Sequence, residues 1–181
     1  DEFFENALDT FPFTYNKRTD SYYGEDMDRY YVGDPTTELG KGCFAPVIKA
    51  AVEKVVPDEY IAVVGQGYTV SELVEEYVKK QNKPILLWAT SLMRSSYKGT
   101  TWHINRTGGT YSFPAYMHCM VLVGYSEAER VYYFNDPYKS RGLVAYDMEL
   151  VETRFKELGS QALALMHRND YKAEKTDVSQ G

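Results

Sequence analysis

Apolar residues first fall into a sustained period at Phe44, where Phe44, Val47, Ile48, Ala51, Val52 and Val55 recur at helical spacing. With Pro46 in the first turn, this predicts an amphipathic helix. Val70, Leu73, Val74, Tyr77 and Val78 trace a second helical face, with Thr69 and Glu72 at capping-box spacing, and predict a helix to about Lys80. Met148, Val151, Phe155 and Leu158 predict a third, capped by Asp147 and stopped by Gly159.

Other segments read as strands. Pro84 to Thr90 is continuously apolar, as in a strand buried on both faces. Tyr60 to Val64, Tyr116 to Tyr125, Val131 to Tyr138 and Gln161 to Met166 complete the set. Residues 91–115 read as loop with a short strand at Trp102 to Asn105. From Asp9 to Gly42 no period holds and Asp, Tyr, Thr, Gly and Pro abound, which predicts a long irregular connection. Loops of that length inside a compact domain are commonly functional. Helices come early, strands cluster late, and neighbouring strands are joined by short turns. The expected class is α+β, an antiparallel sheet packed by helices, in a single domain over residues 1–167 with a frayed polar tail at 168–181.

Composition narrows the field of partners. At 181 residues and 44% hydrophobic, the chain can bury a core without disulfides. Twenty basic against 26 acidic residues leave a formal charge of −6 with no basic cluster, which argues against nucleic acid. No apolar run approaches the roughly 18 residues of a transmembrane segment, and the first residues lack the basic flank of a signal peptide. Cys43 and Cys119 are the two cysteines, too few for a disulfide scaffold.

The chemistry concentrates on the two strands around residues 116–138. If Gly124 pairs with Arg130 across the turn, His118 stands directly opposite Asp136 on one face, and such a pair orients and charges an imidazole for acid-base work. A register one residue different would part them, and the competing reading is a surface histidine with a turn-forming Asp before Pro137. Cys43 opens the strongest helix, where backbone N–H groups and the helix dipole lower a thiol pKa, and the chain order Cys43, His118, Asp136 is that of a thiol hydrolase. A buried small hydrophobe at a helix start is the competing reading of Cys43. Cys119, next to His118 on a strand, points to the other face and reads as core.

No cofactor is expected. The stretch from Gly33 to Lys41 lacks the phosphate-loop pattern, because Gly40-Lys41 is followed by Gly42 and Pro35 stands where the first Gly belongs. Asp20, Glu25, Asp26 and Asp28 lack calcium-loop spacing, and Cys43, His118, Cys119 and Asp136 lack zinc spacing.

Val32-Gly-Asp-Pro35, Gly42-Cys-Phe-Ala-Pro-Val-Ile48, Leu87-Trp-Ala-Thr90, His118-Cys-Met-Val-Leu-Val-Gly-Tyr125, Tyr133-Phe-Asn-Asp-Pro-Tyr138, Leu150-Val-Glu152 and Leu158-Gly-Ser-Gln161 occur in that order. Together they resemble a bacterial branch of the papain-like cysteine peptidases, related to the bacteriocin-processing peptidases of family thirty-nine. The resemblance implies a papain-like fold and a peptide or protein substrate. It also implies His118 as general base, Asp136 as its orienter and a secreted or cell-envelope location. It treats Cys43 as part of a structural stretch and places the nucleophile in an upstream Gly-Cys helix. Residues 1–8 are then expected to be the tail of a helix whose earlier part lies outside this chain, so that the chain alone is inactive and the uncovered first-helix site permits self-association. A non-catalytic pseudo-peptidase binding module and a transglutaminase-like acyltransferase are the alternative readings.

Overall fold

The computed structural model describes residues 6–171 except Leu39, Pro57 and Arg106. Its centre is a six-stranded sheet in which every neighbouring pair is antiparallel. The strands are β5 (Tyr60–Val64), β6 (Ile85–Thr90), β9 (Met117–Ser126), β10 (Val131–Asp136), β11 (Gly142–Asp147) and β12 (Ala162–His167), in the order β11-β10-β9-β6-β12-β5. This is the α+β arrangement expected from the pattern.

Among the described residues, three helices cover the sheet. On one face lie α2, an α-helical turn Val70–Leu73 that continues as a π-helix over Val74–Lys79, and α3 (Met148–Glu157). Their Leu73, Val74, Val151 and Phe155 close a buried cluster with Leu87, Ala89, Met120, Leu122 and Phe134. The Thr69–Glu72 capping box forms as its spacing predicts, and the Asp147 side chain accepts from the Leu150 N–H to cap α3. On the other face lies α1 (Ala45–Val55), which together with Met27, Val32, Phe44 and Trp102 covers the alternate residues of the same strands, Trp88 among them. Each fully buried large side chain here stabilises the fold by about 1.5–3 kcal/mol relative to exposure.

Residues 9–42 depart from the expected irregular connection. They hold four short strands: β1 (Thr10–Phe11), β2 (Thr14–Asn16), β3 (Ser21–Gly24) and β4 (Tyr31–Val32). None exceeds four residues and their partners are largely remote, so no local period announces them. β3 pairs in parallel with β7 (Lys98–Ile104), which forms a hairpin with β8 (Thr110–Pro114). The single short strand expected at 102–105 is therefore part of a four-stranded sheet, β2-β3-β7-β8. Trp102 holds it to the core, buried, stacked on Tyr111 and donating its indole N–H to the Glu25 carbonyl at 3.0 Å. β11 has no counterpart among the expected elements. Of the expected tail, residues 172–181 fall outside the described residues, and the Arg168 N–H donates to the Glu59 carbonyl.

Candidate functional site

His118 and Asp136 meet at one end of the central sheet, where β9 begins and β6 and β10 end. Their meeting does not come about by the simple pairing expected. The turn sets Ser126 opposite Val131, Tyr125 opposite Tyr132 and Gly124 opposite Tyr133. Continued, that register would put His118 and Asp136 on opposite faces. Between Tyr133 and Phe134 the register steps by one: Phe134 faces Leu122 and Asn135 faces Val121, leaving Val123 as the extra residue of a β-bulge. Continuing the ladder sets Asp136 level with Met120, so that His118, two residues along, is its diagonal neighbour on the same face. Diagonal positions stand roughly 7–8 Å apart, a span that an imidazole and a carboxylate fill by reaching toward each other.

His118 Nε2 lies 2.6 Å from Asp136 Oδ1. The carboxylate side chain is fully buried, whereas 15% of the imidazole's surface remains accessible. Oδ1 also accepts from the Tyr138 N–H at 2.9 Å, an Asx-type turn set by Asn135-Asp136-Pro137. Oδ2 makes no hydrogen bond among the described residues but has the Arg141 Nε at 3.5 Å as an ionic neighbour. The Tyr138 ring stands edge-on to the imidazole with centroids 6.0 Å apart. Where Nε2 carries the ring proton, it donates it to Asp136 Oδ1. The lone pair of Nδ1, which has no hydrogen-bond partner among the described residues, is then available for proton exchange.

The loops at this end are strained. Leu92, Met93, Tyr116, Lys139 and Ser140 all have positive φ, between 50° and 63°, without being glycine. Left-handed conformations cost L-residues roughly 1 kcal/mol or more each. The first two follow β6, Tyr116 stands two residues before His118, and the last two follow Asp136.

Cys43 lies elsewhere. It is buried, packed with Ala7, Leu8, Val47 and Ala51, and its carbonyl accepts the Trp88 indole N–H at 2.9 Å. Trp88 pairs with Cys119 on β9 and Ala89 with His118, so the alternation of the strand puts Trp88, Cys119 and Cys43 on the α1 face and His118 on the other. Burial pushes the Cys43 thiol up to about 12, against the lowering expected from the helix start. Cys119 is raised as well, by burial first and by Cys43 second. Gly42 explains how closely this segment approaches: its φ is +106°, and a Cβ there would stand 2.6 Å from the Met117 Cε.

Arg141 and Tyr138 escaped the sequence reading, although Tyr138-Lys-Ser-Arg141 directly follows the Asp-Pro turn and a cation so near a buried acid was a signal at hand. Among the described residues no group of three or more His, Cys, Asp or Glu is arranged to hold a metal ion. No helix among them is long and apolar enough to cross a membrane.

The structure thus holds an imidazole–carboxylate pair at one end of an antiparallel sheet packed by helices. The model of the Peptidase_C39 like family matches residues 7–163, and the chain belongs to that family, a family of cysteine peptidases. The crystal structure of a C39-like peptidase from Bacillus anthracis is similar, with a TM-score of 0.63 and 27% sequence identity over 76% of this chain and 67% of that one. No curated protein matches the chain.

Proposed function

We propose that His118 is the general base and Asp136 its orienter in thiolate-driven hydrolysis of peptide or amide bonds. The observation that carries this reading is the 2.6 Å contact between an accessible imidazole and a buried carboxylate, in a chain of a cysteine peptidase family. His118 Nδ1 takes the thiol proton and the thiolate attacks the carbonyl carbon. The imidazolium, steadied by Asp136, then protonates the leaving amine. In the second half Nδ1 takes a proton from water, which attacks the thioester and releases the acid. Acid-base assistance of this kind is worth about 10²–10⁴-fold.

Neither of the two cysteines in the sequence stands on the His118 face. The nucleophile is therefore proposed to come from outside these 181 residues, and this chain alone is proposed to be inactive. The same fact supports, as second reading, a pseudo-peptidase that binds peptides without cleaving them. A transglutaminase-like transfer draws no comparable support from the family match.

In the natural gene product, Asp136→Asn is expected to lower kcat against a peptide substrate by about 10²–10⁴-fold with little change in KM. Unchanged kcat would remove Asp136 from the mechanism.

A further inference from the structure

Two aromatic-stacked cations stand on the segments that follow β6 and β10, the strands on either side of the strand that carries His118. On one side the Arg94 guanidinium lies 5.2 Å from the centroid of the Tyr116 ring, and Tyr97 braces Tyr116 edge-on at 5.6 Å. On the other, Lys139 Nζ lies 5.3 Å from the centroid of Tyr138, the ring that touches His118. Tyr97, Tyr116 and Tyr138 are 60%, 37% and 36% exposed, so this end of the sheet presents aromatic faces to solvent with a positive charge on each flank. Positive φ at Tyr116 and Lys139 fixes how both are presented.

These cations differ from those that ion pairs already hold. Lys79, Lys80, Arg130 and Arg154 each sit on a glutamate. Among the described residues no carboxylate lies within ion-pair distance of Arg94 or Lys139. Glu157, the acid nearest in the chain's packing to residues 96–98, is already taken up by Arg154 and the Ser96 N–H. In a chain of formal charge −6, two unneutralised cations at the His118 end of the sheet form a local positive feature that an anionic partner would complement. Stacking on an aromatic face pre-organises each cation, which lowers the entropic cost of using it.

We infer that this rim selects peptides with carboxylate side chains on both sides of the residue presented to His118, gripped by Arg94 on one flank and Lys139 on the other. The inference rests on the peptide-site reading above and adds a substrate class to it.

Labelled peptides of equal length, identical except for two flanking Glu, Gln or Lys residues, would be titrated against the 181-residue chain by fluorescence anisotropy while the His118 ring signals are followed by NMR. The Glu peptide is expected to bind about tenfold more tightly than the Gln peptide, and the difference to shrink as salt rises. Arg94→Gln and Lys139→Asn are each expected to weaken the Glu peptide about two- to fivefold and leave the Gln peptide unchanged. Lys80→Ala, an equal loss of charge beside Lys79 at the far end of β9, is expected to change neither. Glu and Gln peptides that bind equally while shifting His118 would overturn acid selection and leave the peptide site standing. A Glu preference surviving in the Arg94→Gln, Lys139→Asn double variant would place recognition elsewhere. If no peptide of any charge shifts His118, the peptide-site reading itself fails and acid selection with it.

Discussion

His118 Nε2 stands 2.6 Å from Asp136 Oδ1 although the two residues are diagonal rather than opposite neighbours on their strands. In the proposed role, the carboxylate holds the imidazole in the tautomer that leaves Nδ1 unprotonated. Nitrogen-detected NMR at neutral pH is expected to find the proton on Nε2. Asp136→Ala is expected to release the ring into a mixture of tautomers and, by stranding the Tyr138 N–H and the Arg141 charge, to destabilise the chain by about 2 kcal/mol. A proton on Nδ1 in the unaltered chain would contradict the assigned geometry.

Val123 is the residue that corrects the register. Its deletion leaves Gly124 opposite Tyr133 and Leu122 opposite Phe134, and lies outside the β6–β9 pairing, which begins at Leu122. The variant lacking Val123 is therefore expected to fold with a straighter strand and to retain the His118–Asp136 hydrogen bond. A variant that folds without that bond would show that the twist of the bulge, and not the order of facing side chains alone, brings the pair together.

Cys43 is expected to resist alkylation. With its thiol pushed up to about 12, roughly one molecule in 10⁴ carries the thiolate at pH 8, against about one in ten for a thiol at its ordinary value near 9. The same shift ties stability to pH. Because the folded value lies above the unfolded one, the neutral thiol's contribution is complete below about pH 9 and is lost as pH rises toward 12, where the unfolded chain ionises first. Cys119 and Tyr111 shift in the same direction, each chiefly through burial. Urea midpoints are expected to fall from pH 9 upward, and less steeply in Cys43→Ala. Fast single-site labelling of Cys43 at pH 7, slowed by His118→Ala, would overturn its placement.

The helices and the central strands were legible because each carries its own period or cap: Thr69 with Glu72, Asp147 before Met148, the apolar run ending at Thr90. The His118–Asp136 pairing was legible in its face but not in its register, since one residue at Val123 decides the step and nothing in Leu122-Val123-Gly124 marks the bulge. Residues 9–42 carry no such signal because strands of two to four residues draw stability from β7 and from one another, not from local sequence. Cys43 was hard to place because a helix start and deep burial pull a thiol's pKa in opposite directions, and only packing settles that burial dominates.

The central claim is a His118 base served by a thiol other than Cys43, and hydrolysis of a mixed peptide library by the natural gene product tests it most directly. The account predicts cleavage that falls by at least about 10³-fold in His118→Ala and survives Cys43→Ala, with none from the 181-residue chain by itself. Cleavage by the 181-residue chain that Cys43→Ala abolishes, or cleavage by the gene product that His118→Ala leaves intact, would contradict it.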